Sequence, residues 1–163
     1  MTAIRGRARS GRNGDDVSEL DKRIIEHLQQ DGRRPFTQIA AELGVSEAAV
    51  RARTNRLVER GILQIVGVTD PLKLGFQQMA MVGIRCERDR LVSVAEAVSA
   101  FPEVDYVVIT AGTYDVLIEV VCEDNAALLD FLAEKLRAIE GVRDTETFVY
   151  LRMVKQTYQW GTR

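Results

Sequence analysis

The spacing of apolar residues changes once along this chain, at Gly61, and that change limits the possible folds more than any other feature. Upstream, Leu20, Ile24 and Leu28 share one helical stripe with Ile25 beside it, and Asp31-Gly32 supplies a stop. Thr37 is placed to cap a short second helix in which Ile39, Ala40 and Leu43 face one way and Gly44 ends the run. Ser46 caps a third helix, with Val50, Thr54, Leu57 and Val58 on its inner arc and Gly61 closing it.

Downstream the runs are β-branched and apolar. "ILQIVGV" from Ile62 reads as a linking strand, and beyond the Pro71 and Gly75 breaks come "MAMVGIRC", "VDYVVITA", "DVLIEVVC" and "TETFVYLRMV". Two amphipathic helices separate them, one carrying Leu91, Val94, Ala95 and Val98, the other Leu128, Leu129, Leu132, Leu136 and Ile139. From Met79 the order is β-α-β-β-α-β, the split βαβ or ferredoxin-like arrangement, with both helices on one face of an antiparallel sheet. The fold class is therefore α+β. A helical domain spans 18–62, a linking strand and hinge 63–78, and the sheet domain 79–163, after an arm at 1–17. Apolar residues follow apolar residues at Tyr106 to Ile109 and Val116 to Ile118, so both sheet faces read as apolar, which predicts a second copy packed on the uncovered face as an isologous dimer.

Composition removes several classes. The 163 residues are 46% hydrophobic, yet no uncharged apolar run approaches the roughly 18 residues that span a bilayer. Residues 1–17 hold Arg5, Arg7, Arg9 and Arg12 without an apolar segment, so they do not read as a secretory leader, and a cytoplasmic, nucleoid-associated protein without membrane contact is expected. Cys86 and Cys122 sit in apolar runs without metal or redox spacing, so they read as core thiols, with no metal and no cofactor expected. The single histidine, His27, lies on the first helix, and no nucleophile–base or phosphate-loop pattern exists, so no catalytic residue is assigned. Residues 71–163 carry ten basic against fourteen acidic side chains, while 18–70 balance eight against eight. The acidic total therefore does not oppose a basic face in the N-terminal half.

"TQIAAELGVSEAAVRAR" has the pieces of a helix-turn-helix: Ala40 where two helices cross, Gly44 at the tight turn, and Ile39, Leu43, Val45 and Val50 filling the shared core. The opposite arc of the third helix carries Glu47, Ala48, Arg51, Ala52, Asn55, Arg56 and Glu59, flanked by Arg53 and Arg60. Its small residues permit close approach to a groove, and Arg51 can reach a guanine edge or a phosphate. Arg53 and Arg56 suit phosphates or a structural carboxylate, and a plain solvated helix face is the competing reading. The Arg-rich arm either adds phosphate attraction or is a solvated tail.

Taken together, "LDKRIIEHLQQDGR", "IAAELGVSEAAVRARTNRLVERGIL", "DPLKLGF", "GTYDVLIEV" and "IEGVRDTETFVYLRMVK" resemble the Lrp/AsnC family of transcription regulators over about residues 18 to 158. The resemblance implies a winged helix-turn-helix that binds double-stranded DNA. It also implies a ferredoxin-like RAM domain forming dimers and assemblies of four dimers, with small amino acids or related metabolites bound at dimer–dimer contacts. It implies a DNA surface of Thr37, Gln38, Ser46, Glu47, Ala48, Arg51, Arg53 and Arg56. It further implies an effector pocket of Ile109, Ala111, Gly112, Thr113, Tyr114 and Asp115, bordered by Phe148, Val149 and Tyr150. Read alone, Gly112 and Asp115 are adequate turn residues without any ligand. Two other functions compete: an architectural DNA-compacting protein with no effector, and an enzyme resembling the haem-precursor decarboxylases.

Overall fold

The computed structural model describes residues 17–157 and Gly161. The basic arm, with its four arginines, lies outside the described residues. The chain divides into two compact units, one ending at Gly67 and including the chain from Gln156 onward, the other running from Val68 to Lys155.

The first unit holds α1 (Glu19–Gln30), α2 (Phe36–Leu43) and α3 (Glu47–Glu59). Ser18 and Asp21 form a reciprocal capping box at the start of α1, each side chain taking the other's backbone N–H. Gly44 ends α2 in the left-handed region at φ 68°, which lets the Val45 N–H reach back to the Ala40 carbonyl at 3.0 Å. Ile24, Ile25, Leu28, Ile39, Ala40, Val50 and Leu57 make the core as their spacing implied, joined by Leu63, whereas Val58, expected on the inner arc of α3, is exposed. Two further expectations change. Thr37 does not cap α2: the helix starts two residues earlier than that cap implies, at Phe36 behind Pro35, whose carbonyl accepts the Gln38 and Ile39 N–H groups. Residues 62–70 form no strand, because no segment among the described residues offers them a ladder; Ile65, Val66 and Val68 are exposed.

The second unit opens with a 3-10 turn, Pro71–Leu74, followed by β1 (Gln78–Cys86), α4 (Leu91–Val98), β2 (Val104–Ile109), β3 (Val116–Cys122), α5 (Asn125–Asp130) and β4 (Val142–Val149). The strands order as β2-β3-β1-β4, with every pair antiparallel. One face carries Ala80, Val82, Ile84, Val116, Ile118 and Val120 against Val94, Val98, Leu128, Phe131 and Leu136. The fourth strand begins at Val142 and ends at Val149, earlier than its sequence suggested, because its only partner is β1 and that ladder runs out at Ala80↔Val149.

The uncovered face is less apolar than the sequence implied. A bulge separates Val104 from Tyr106, so Val104 and Val107 both lie on the covered face although they are three residues apart. That phase slip accounts for part of the uninterrupted apolar run. Register places Tyr106, Glu119, Met81 and Phe148 in one row of the open face and Val108, Leu117, Gly83 and Glu146 in the next.

The second amphipathic helix also departs from its expected stripe. After Asp130 it widens into a π-helix, Phe131–Leu136, and the five-residue step brings the fully buried Phe131 and Leu136 onto one face. Phe131 meets Phe101 edge-on at 5.7 Å, while Leu129, expected inside, is 64% exposed.

Gly141 closes this segment at φ 95°, and a methyl there would lie 2.4 Å from Arg90 Cβ and 3.2 Å from Val94 Cγ2. We therefore expect Gly141→Ala to destabilise the protein by about 2–4 kcal/mol, through backbone strain and overpacking together, read as a lower urea midpoint at unchanged slope.

Candidate nucleic-acid interface and effector turn

The third helix starts with Ser46, whose Oγ accepts the Ala49 N–H at 3.2 Å; Ser46 thus shapes the helix start. Glu47 follows, then the exposed small residues Ala48 and Ala52, with Arg51 between them. Arg51 pairs with Glu47 one turn earlier, and its guanidinium carbon lies 5.3 Å from the centre of the Phe36 ring. Thr37 and Gln38 are exposed in the first turn of α2. Arg53 and Arg56 turn elsewhere. Arg53 donates to Asp21 Oδ1 at 3.0 Å and to Ser18 Oγ at 3.2 Å, and Arg56 approaches Asp21 Oδ2 at 3.5 Å.

Asp21 is 1% exposed, so its charge depends on these partners. Burial pushes its carboxyl up, but the hydrogen bonds from Ser18 and Arg53 outweigh that and hold it below the ordinary aspartate value. Of the alternatives open for Arg53 and Arg56, the structural carboxylate is the one present. The Ser-x-x-Asp spacing of 18–21 signals the cap but not the arginines that reach it from α3.

In the second unit, the β2–β3 hairpin ends in a loop closed by the Thr110 N–H donating to the Asp115 carbonyl at 2.9 Å. Asp115 joins this loop to β1: its N–H donates to the Ile84 carbonyl at 2.9 Å, and its Oδ2 accepts the Cys86 N–H at 2.8 Å. Arg85 makes a second tie, donating from Nε to the Thr113 carbonyl at 3.2 Å and from a terminal nitrogen to Asp144 Oδ2 at 2.6 Å. Its guanidinium lies 5.1 Å from the Tyr114 ring centre, and Tyr114 meets Phe148 edge-on at 6.1 Å. The Tyr114 ring covers Gly83 so closely that a Cβ there would sit 2.5 Å from it.

The implied pocket residues therefore separate into groups. Ala111, Gly112 and Thr113 are exposed at the loop, Asp115 stands at its base, and Tyr114 and Phe148 lie together on the open sheet face. Tyr150 follows β4 with its N–H on the Met79 carbonyl; burial and a hydrogen bond to Glu119 push its hydroxyl up to about 12. Ile109 and Val149, paired with Val116 and Ala80, point to the opposite face of the sheet. Sequence reasoning missed Arg85 and Gly83, since an arginine and a glycine inside a strand carry no signal until Tyr114 is placed over them.

Comparison with known proteins agrees with both halves. The model of the AsnC-type helix-turn-helix domain matches residues 17–58, and that of the Lrp/AsnC ligand binding domain matches residues 79–160. The chain belongs to the Lrp/AsnC family. Among Lrp/AsnC relatives, the transcriptional regulator LrpA of Pyrococcus horikoshii is 33% identical over 85% of this chain and 99% of its own length. FL11 of Pyrococcus furiosus is 32% identical over 86% and 93%. The structure of Escherichia coli AsnC superposes with a TM-score of 0.79 at 25% identity, covering 88% of this chain and 97% of AsnC. A regulator from Neisseria meningitidis, solved as an L-Met complex, shares the fold with a TM-score of 0.81 at 21% identity, covering 90% and 97%. These Lrp/AsnC relatives are transcriptional regulators, not enzymes, and this chain is a DNA-binding transcription regulator of their type.

Within this Lrp/AsnC helix-turn-helix, the Asp21 cluster generates a pH signature. Its carboxyl is lowered in the folded state, so its stabilisation is full above the ordinary value of 3.8 and is lost as pH falls through the lowered one. Asp21→Asn should cost about 2 kcal/mol at neutral pH, discounted because both guanidinium groups remain partly solvated. The gap to wild type should close below pH 3.8 in urea titrations; a gap constant with pH would exclude the charge as its origin.

Proposed function

We propose that this regulator binds specific DNA sequences and that a small amino acid or related metabolite tunes its assembly or its DNA affinity. The effector is held at the tip of the β2–β3 hairpin, at contacts between dimers of a larger assembly. One juxtaposition carries the reading. The N–H groups of Ala111, Gly112 and Thr113 donate to no atom among the described residues, and the Asp115 carboxylate belongs to the base of the same loop. Three successive unused donors suit a carboxylate, and an acidic side chain suits an ammonium, so the two ends of an amino acid find opposite partners within one loop. Asp115 spends Oδ2 on Cys86, which leaves Oδ1 for the ammonium. A methyl on Gly112 would meet nothing within 4 Å, so the space there is open to a ligand or a second dimer.

Dimerisation uses the open sheet face, where Tyr106 and Phe148 are nearly half exposed beside Met81, Val108 and Leu117. On the DNA side, the N-terminal half of α3 enters the major groove, with Ala48 and Ala52 allowing close approach, Arg51 reading a base, and Thr37 and Gln38 meeting the backbone. Two such helices in a dimer address half-sites roughly 34 Å apart. The effector shifts assembly by its difference in affinity between the two states. The Neisseria neighbour's L-Met makes amino acids the first ligands to try.

A thermal-shift panel of amino acids, followed by size measurement on any hit, tests this reading. Asp115→Asn retains an acceptor for the Cys86 N–H and removes the charge, so we expect it to weaken a hit by roughly 10- to 100-fold while preserving DNA binding. An undiminished shift in that variant would move the effector away from the turn, and a silent panel would favour a DNA-compacting role without an amino-acid effector.

A further inference from the structure

Arg51 is the arginine of α3 that projects from the exposed arc beside Ala48 and Ala52, since Arg53 and Arg56 are held by Asp21. An arginine at such a position ordinarily samples many rotamers and loses side-chain entropy when one is selected. Here two neighbours restrict it. Glu47 engages one terminal nitrogen, and the face of the Phe36 ring lies 5.3 Å from the guanidinium carbon. Phe36 is the first residue of α2, so the ring comes from the other helix of the motif, and it is itself set by packing against the buried core of this unit. A guanidinium lying over an aromatic face keeps its in-plane N–H groups directed away from the ring, and that edge forms paired hydrogen bonds with guanine O6 and N7.

From this geometry we infer that Phe36 is a specificity-determining positioning residue. It fixes where Arg51 presents its donors, so that one base pair per half-site is discriminated, and it touches no base itself. Glu47 is the second arm of the same clamp and also keeps the free guanidinium from settling on any nearby phosphate. The inference rests on Arg51 reading a base, and the experiment separates the two claims.

Full-length protein is used to select sites from a randomised duplex pool. Affinities are then measured for the selected site and for versions with each base pair changed, at fixed salt. Arg51→Ala should remove discrimination at one base pair per half-site, a loss of roughly 5- to 100-fold. Phe36→Leu, which keeps an apolar group against the core, should remove most of that same discrimination and leave affinity for unrelated duplex within about twofold, whereas Phe36→Tyr, which keeps the ring face, should retain it. In an Arg51→Ala background, Phe36→Leu should have no further effect at that position. Full discrimination in Phe36→Leu, or an additive further loss in the double variant, would overturn the role of Phe36 while leaving Arg51 as a base reader. Uniform weakening of all sequences by Arg51→Ala would overturn the base contact and the positioning role with it. Should Phe36→Leu unfold, judged by circular dichroism, Phe36→Tyr against Phe36→Met carries the same comparison, and equal discrimination in those two would overturn the inference.

Discussion

A single buried carboxylate decides what α3 can offer to DNA. Asp21 has lost nearly all contact with water, and a charge in that position is tolerable only when surrounded by donors. Ser18 supplies two and Arg53 another, with Arg56 close by. The same contacts fasten the start of α1 to the middle of α3, so the fold of the unit and its surface chemistry are set by one group. Three arginines on a helix would ordinarily suggest a broad phosphate-binding stripe. With two of them turned toward Asp21, Arg51 is left beside a pair of exposed alanines.

The sheet unit is organised around a comparable economy of partners. Its central strand β1 is hydrogen-bonded on both sides, and three of its residues also hold the hairpin loop: Ile84 and Cys86 through backbone groups on Asp115, and Arg85 through the Thr113 carbonyl. The loop is therefore shaped before any ligand arrives. Tyr114 folds back over Gly83 and exchanges loop for sheet surface, while Ala111, Gly112 and Thr113 stay outside. Asp115 thus fastens the base of the loop to β1, while the outer N–H groups have no partner among the described residues.

How much of this was legible in the sequence depended on whether the signal was local. Gly44, Ser46 and the Ile24/Leu28 stripe act on their own neighbours, and they fall where their spacing put them. The antiparallel sheet with its helices on one face followed from the β-α-β-β-α-β sequence of elements. Failures came where a distant partner, or its lack, decided the outcome. The run after Gly61 has strand composition but no strand beside it among the described residues, so it forms no ladder. The bulge at Asp105 and the π-helix after Asp130 each insert one residue of phase, and both were read as continuous periodicity. In the candidate site, Asp115 and Gly112 were visible as turn chemistry, but the Arg85 tie spans 28 residues to Thr113 and 59 to Asp144, far beyond what any local pattern encodes.

The π-helix has a consequence for how this sequence can change over time. Across Phe131–Leu136 the helix accommodates one residue more than an α-helix would use to join the same two buried side chains. Chain length is therefore asymmetric in its effect here. Losing one residue between those two side chains would let the backbone relax to regular winding, in which Phe131 and the leucine, then four apart, still share a face. Gaining one would offer no such winding and would rotate everything downstream by about 100°, taking Leu136 from the core and Lys135 from Glu103, which it now pairs with. Substitutions in this segment are judged one side chain at a time, whereas a change of length is judged by the phase of the whole turn.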